Sequence, residues 1–392
     1  MRKTAALLLV LLVLAAAFLA GAYFAFGGEV VEDFWVTVAP LPKPYYENVG
    51  AAVAYGKIYF LGGDICERYD PGINAWTAIT PPPVYNAWGA VVACQNKIYV
   101  IGGVAEHPTQ VYDPTTGTWE NRTSPPGTTF GHRANAVNNK IYVISGGQYA
   151  PYGTLATSAV NYVYDTAIDS WSTMASIPTP VSNYASAVLD NKIYVIGGRT
   201  ATDVSYVANT TDMVQIFDPK TNQWTIGKPI PNATYNAGAC STSGLLAPKR
   251  IYVVGGWKTD LNQVYDPKTG SWSLAANLPK IRSGLSLVNV NDVLYAVGGS
   301  NGTVHVTVKA DLSDWEAAKQ LMSTTKVQAT ERYIPIGYDG ALPPTPSPST
   351  TASPTPEPSP TVTVVAVSVA AAVVVAGLLV YFKKRKRKTT LA

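Results

Sequence analysis

Asn96-Lys97-Ile98-Tyr99-Val100-Ile101-Gly102-Gly103 reads as a β-strand stopped by a glycine pair, because β-branched and aromatic residues suit a pleated surface and paired glycines suit close backbone approach. Near copies recur five times: Gly56-Lys57-Ile58-Tyr59-Phe60-Leu61-Gly62-Gly63, Asn139-Lys140-Ile141-Tyr142-Val143-Ile144-Ser145-Gly146-Gly147, Asn191-Lys192-Ile193-Tyr194-Val195-Ile196-Gly197-Gly198, Arg250-Ile251-Tyr252-Val253-Val254-Gly255-Gly256 and Asp292-Val293-Leu294-Tyr295-Ala296-Val297-Gly298-Gly299. Successive pairs lie 40 to 58 residues apart, so the 392-residue chain is a repeat array and its length does not count domains.

Working outward, tryptophan followed seven residues later by proline occurs at Trp35, Trp76, Trp119, Trp171, Trp224 and Trp272. An aromatic-Asp-Pro precedes four of them, at Tyr69-Asp70-Pro71, Tyr112-Asp113-Pro114, Phe217-Asp218-Pro219 and Tyr265-Asp266-Pro267, with Tyr164-Asp165-Thr166 as a variant. Each unit reads as four short strands: a small apolar one such as Gly89-Ala90-Val91-Val92-Ala93, the Ile-Tyr-Val strand, one ending in the Asp-Pro turn, and one starting at Trp. Asp-Pro fits a type I turn, because proline presets φ and the carboxylate bonds its own backbone.

This pattern resembles the kelch repeat, whose signature is a Gly-Gly after an apolar strand followed by spaced Tyr and Trp. The resemblance covers about residues 33–338 and implies an all-β propeller with one blade per repeat. At the end of the array Trp315 is a poor match, since Asp311 precedes it by only four residues and Met322 stands where proline is due. Glu331-Arg332-Tyr333-Ile334-Pro335 instead echoes Glu67-Arg68-Tyr69-Asp70-Pro71, so 330–338 reads as the third strand of a sixth blade whose fourth strand is supplied by Trp35 from the other end of the chain. Such closure leaves no open edge. The alternative completes blade six with Trp315 and builds a seventh, composite blade.

The flanks speak of compartment. Met1-Arg2-Lys3 and the apolar run to Phe26 form a signal peptide or a signal anchor over 1–26. Residues 339–361 are a Pro/Ser/Thr-rich stalk that cannot form a core, and 362–382 is an uncharged apolar stretch long enough to cross a bilayer as a single transmembrane helix. The basic tail 383–392 then stays cytoplasmic, so the propeller faces outward at the cell membrane. Four sequons, at Asn121, Asn209, Asn232 and Asn301, fit an exported glycoprotein. The stalk and closing helix look like those of cell-surface kelch proteins of archaea.

Of 29 Lys+Arg, eight lie at the two ends; the remaining 21 against 25 Asp+Glu make the body weakly acidic, which argues against a nucleic-acid partner. Cys66, Cys94 and Cys240 have no metal-ligand spacing, and Cys66 and Cys94 either pair or are apolar fillers. No metal or cofactor is expected.

Strand polarity puts the starts of first strands and the loops after Gly-Gly at one mouth of the channel. The candidate ligand-binding residues there are Tyr46, Asn48, Trp88, His132, Arg133, Tyr184, Arg199, Tyr235, Asn236, Trp257 and Arg282, whose rings, amides and cations suit sugar or peptide groups. From the second glycine to the turn Asp the chain runs 7 residues in blade one and 10 in blades two and five, but 18, 20 and, to Ile334, 35 in blades three, four and six. That makes the mouth asymmetric, with a short helix expected over 313–322. The expected function is recognition of an extracellular protein or glycan without catalysis. The second reading is a sugar mutarotase, with Glu47, His132, Arg133 and Arg282 as acid–base candidates; a copper oxidase site is excluded because His107, His132 and His305 fall in different repeats.

Overall fold

The computed structural model describes residues 32–43, 50–62, 65–84, 89–103, 108–127, 130–149, 155–200, 210–301 and 327–343. The signal segment, the 313–322 helix, most of the stalk, the 362–382 span and the basic tail lie outside the described residues. Among those described, no helix is long and apolar enough to cross a membrane. The chain divides into residues 1–346 and 347–392, and the propeller belongs to the first unit.

Six four-stranded antiparallel sheets form among the described residues. Blade one is β2 (Gly50–Ala54), β3 (Lys57–Gly62), β4 (Ile65–Asp70) and β5 (Ala75–Ala78). Blade two is β6 (Ala90–Cys94), β7 (Lys97–Ile101), β8 (Thr109–Asp113) and β9 (Thr118–Arg122). Blade three is β10 (Arg133–Val137), β11 (Lys140–Ile144), β14 (Asn161–Asp165) and β15 (Ser170–Thr173), with an extra hairpin, β12 (Gly147–Tyr149) and β13 (Leu155–Thr157), on its long connection. Blade four is β16 (Ala185–Leu189), β17 (Lys192–Ile196), β18 (Val214–Asp218) and β19 (Gln223–Ile226), and blade five is β20 (Gly238–Ser241), β21 (Ile251–Val254), β22 (Asn262–Asp266) and β23 (Ser271–Ala275). Blade six is β24 (Ser286–Val290), β25 (Val293–Val297), β26 (Thr330–Ile334) and β1 (Phe34–Val38), in which Trp35 pairs with Tyr333. The six-blade reading with N-terminal closure holds, and the seven-blade alternative is overturned.

The repeated residues have repeated jobs. The first two strands of blades one, two, three, four and six are joined by two-residue turns with both φ angles positive, as at Asn138 (51°) and Asn139 (62°), which matches hairpin twist and explains the Asn and Gly there. Each signature tryptophan packs at a tilt against the third-strand aromatic of its own blade, with centroids 4.9 to 5.2 Å apart in all six. Its indole N–H then donates to a carbonyl of the preceding blade: Trp76 to Ala39, Trp119 to Thr80, Trp171 to Thr123, Trp224 to Ala175, Trp272 to Lys228, and Trp35 to Ala276, at 2.8 to 3.0 Å. This girdle runs unbroken through the junction of the two chain ends.

Strand two of blades one to four begins with a lysine that pairs with the turn aspartate, as Lys140 does with Asp165 at 2.8 Å; in blade five the pair is Arg250 and Asp266. In blade six both partners change together, to Val293 and Ile334, so no charge is left alone and both side chains join the core that seals blade six to blade one.

Blade five departs from the pattern by replacing its first hairpin turn with residues 242–250. Asp292 of blade six holds this loop, accepting from the backbone N–H of Ser243, Leu245, Leu246 and Ala247 and from the Ser243 hydroxyl and Asn289 amide. The loop in turn holds the chain where it leaves the propeller, through Asp339 N–H to Leu246 O at 2.8 Å. Burial pushes the Asp292 carboxyl up, but those donors together outweigh it and hold it at about 2. A depressed folded pKa contributes stability that is present above the ordinary value near 4 and lost as pH falls through 2. Asp292→Asn is therefore expected to lower unfolding free energy by about 2 kcal/mol at pH 7, and the gap to the wild type in pH-dependent melting should narrow between pH 4 and 2.

Cys66, Cys94 and Cys240 are free thiols. Cys66 and Cys94 sit in two different inter-blade clusters, so the pairing alternative falls and the apolar-filler reading stands.

Candidate functional site at the channel mouth

The six first strands, each the innermost of its blade, enclose a cavity of about 190 Å³. Two residues before the first strand of blades three to six stand Gly131, Asn183, Asn236 and Gly284, all with positive φ between 55° and 66°. Their backbones bond head to tail around the mouth: Asn183 N–H to Gly131 O, Asn236 N–H to Asn183 O and Gly284 N–H to Asn236 O, at 2.7 to 2.8 Å. Gly, and next to it Asn and Asp, adopt that φ most readily, so Asn236 is there for its backbone as well as its amide. Asn48 and Trp88 occupy the same sequence position in blades one and two; they and Tyr46 lie outside the described residues.

The glycine pairs support this collar from outside. The second glycine N–H donates to the linker of the next blade, as Gly146 to Val181 O, Gly198 to Thr234 O and Gly256 to Arg282 O. A Cβ at Gly198 would lie 2.8 Å from Tyr184 Cβ, and at Gly299 2.7 Å from Arg282 Cγ. In blade three the pair is shifted by one residue from the sequence reading. Ser145 takes the place of the first glycine, at φ 55°, and its hydroxyl bonds Ser158 O and Val181 O, an anchor that offsets the strain of a side chain there.

The mouth candidates divide. Tyr184 is fully buried, and its hydroxyl donates to Ile144 O of the preceding blade and accepts from Arg133 N–H. His132, one blade earlier, is likewise buried with Nε2 3.3 Å from Ile101 O, the same point on blade two. Arg282 has no exposed surface; it donates to the Ala296, Gly298 and Ala329 carbonyls and forms an ion pair with Glu331. These three are inter-strand and inter-blade struts in this structure. Their positions at strand starts are as the sequence indicates, but the side chains of Tyr184 and His132 turn onto the preceding blade and that of Arg282 into its own blade six.

Arg199, Tyr235 and Trp257 are brought together. The Arg199 guanidinium lies 5.6 Å from the Tyr235 ring, Tyr235 stacks on Trp257 at 5.5 Å and 22°, and Lys258 Nζ is 5.9 Å from the Trp257 ring. Trp257 is partly exposed and its indole Nε1, itself buried, has no acceptor among the described residues. The result is a cation–aromatic ladder spanning blades four and five at the rim, with one unanswered donor. Arg133 lines the channel just inside the collar.

One set of residues escaped the sequence reading. Gln110, Gln215 and Gln263, each three residues before the turn Asp, bond both the N–H and the C=O of a linker residue, Val84, Thr179 and Asn232 respectively. The signal was present as a Gln or Glu at fixed distance from the Tyr/Phe-Asp turn in Glu67, Gln110, Gln215, Gln263 and Glu331, with Tyr162 the exception.

The family model described as FKB95, Kelch-repeats domain, matches residues 123–340. Human Kelch-like protein 35 is 39% identical over 211 residues, which is 52% of this chain and 34% of that protein. Human Kelch repeat and BTB domain-containing protein 12 is 26% identical over 222 residues, 52% of this chain and 28% of that protein. The matched segment thus spans about a third of the length of these curated relatives. A solved structure described as "Structure of YjhT" superposes with a TM-score of 0.57 at 17% identity, covering 68% of this chain and 93% of that one, a likeness of fold alone.

Proposed function

The chain belongs to the kelch-repeat family, and from that premise we propose that its propeller is a recognition module, held outside the cell on the 339–361 stalk by the 362–382 span, that binds a surface protein or glycan at the collared mouth. The observation that carries this reading is the Arg199–Tyr235–Trp257–Lys258 ladder. A partly exposed indole stacked on Tyr235 with Lys258 beside it, Arg199 against Tyr235, and an N–H lacking an acceptor among the described residues offer a stacking face for a sugar ring or peptide plane and one directional hydrogen bond. The long connections of blades three, four and six rise from the same end of their blades and would select among ligands. The stalk and span, similar to those of archaeal surface kelch proteins, fit the same placement.

The purified full chain applied to a glycan array, and to a panel of purified surface proteins, tests this. Trp257→Ala is expected to weaken whatever binding is found by tenfold or more, the size of a central interface anchor, with the melting temperature within a few degrees of the wild type. Undiminished binding would move the site off this ladder. Glu47 lies outside the described residues; among the described acid–base candidates of the sugar mutarotase alternative, His132 and Arg282 are buried in struts and Arg133 alone lines the channel, which gives that reading less support. Anomer exchange of a sugar accelerated by the full chain would favour the enzyme reading.

A further inference from the structure

Between blades three and four the channel wall changes character. Side chains of a first strand alternate, so its first, third and fifth residues face the next blade and its second and fourth face the previous one. The packing shows this alternation: Val137, fifth in β10, lies in the cluster shared with blade four, and Gly50 and Gly238, first in β2 and β20, would meet Val91 and Leu287, second in the following blade, if they carried a Cβ. The first and third residues of each blade thus meet the second of the next. At the other five seams these triples are Gly50, Ala52 and Val91; Ala90, Val92 and Ala134; Ala185, Ala187 and Ala239; Gly238, Cys240 and Leu287; and Ser286, Val288 and Ala51. The seam of blades three and four alone has three polar residues, Arg133, Asn135 and Ser186, and all three line the central cavity.

Each of the three has an unanswered polar group among the described residues. The Arg133 guanidinium makes no ion pair or hydrogen bond among the described residues, and neither does the Ser186 hydroxyl. Asn135 is only 5% exposed, yet its Nδ2 has no acceptor among the described residues. An unmatched buried amide and a guanidinium without a counter-ion are costly, and burial already draws the Arg133 pKa below the usual guanidinium range. We propose that this seam is a binding notch for a small free carboxylate, entering through the collar. The guanidinium fork would take both carboxylate oxygens, with Asn135 Nδ2 and the Ser186 hydroxyl as further donors. A single positive charge matches a monoanion, whereas a phosphate dianion would leave negative charge uncompensated in a narrow channel. The cavity, at about 190 Å³, is below the size of a drug-like pocket and suits a small acid. This site is separate from the rim ladder and does not rest on the recognition reading.

Isothermal titration of the full chain at pH 7 and constant ionic strength, with sodium acetate, sodium lactate and inorganic phosphate as probes, tests the proposal. Saturable one-to-one binding of a carboxylate, preferred over phosphate, is expected. Arg133→Met should weaken it by about tenfold or more, the effect of losing a charged hydrogen-bond partner, without lowering the melting temperature. Ser186→Ala, which removes one atom and keeps the fold, should weaken it by about threefold. Absence of saturable carboxylate binding, tighter binding of phosphate, or unchanged affinity in both variants would overturn it.

Discussion

Trp35→Ala is expected to lower the unfolding free energy by about 3–5 kcal/mol, and by more than the same change at Trp224. Both substitutions remove a half-buried ring from its third-strand aromatic and a bond to the preceding blade. The difference lies in connectivity. Trp224 sits in a hairpin whose strands are joined by a short turn, so β19 stays near β18 even when its anchor is lost. Strand β1 pairs with β26 some 300 residues away, and no short turn holds it there. Besides its pairing, its attachments include Trp35, the Asp33 carboxylate accepting from Ala276 N–H and Tyr333 hydroxyl, and Glu32 on Gly337 N–H. Urea denaturation of the two variants side by side checks the order; a loss below 1 kcal/mol at Trp35 would mean that the ring does not depend on its terminal strand.

The second large effect is expected at the Arg282–Glu331 pair, which is almost wholly buried in blade six. Removing either partner alone strands a charge that the surroundings cannot solvate, so Arg282→Met or Glu331→Ala should each cost about 3–5 kcal/mol. Blades two, four and five show what a neutral replacement looks like, for there the Glu331 position is glutamine bonded to the linker backbone, and in blade five the Arg282 position is Thr234. The double substitution Arg282→Thr with Glu331→Gln should therefore recover much of the loss. A double-mutant cycle by thermal and chemical unfolding measures this coupling, and additive losses would contradict it.

The architecture was legible in the sequence because its signals are periodic and local. Six glycine-terminated strands and six tryptophans counted the blades, and the echo of Glu67-Arg68-Tyr69 in Glu331-Arg332-Tyr333 located the strand that meets Trp35. The site was legible only in outline. Position along a first strand is written in the repeat, but whether a side chain there reaches solvent depends on which neighbouring strand or blade it packs against. Tyr184 and His132 are covered by neighbouring blades, whereas Trp257 is left partly open. Asn236 drew attention for its amide and proved to be tied to a backbone angle. The polar seam of Arg133, Asn135 and Ser186 joins two repeats, so it appears only when first strands are aligned across the ring.

Every assignment at the mouth presupposes a closed ring, since the collar and the channel exist only if blade six is complete. Native-state amide hydrogen exchange on the full chain tests closure most directly. In a closed ring the amides of β1, residues 34–38, exchange with the same free energy of opening as those of β25, residues 293–297, in a single cooperative unit. Exchange of β1 at the rate of a frayed terminus, while β25 stays protected, would contradict it.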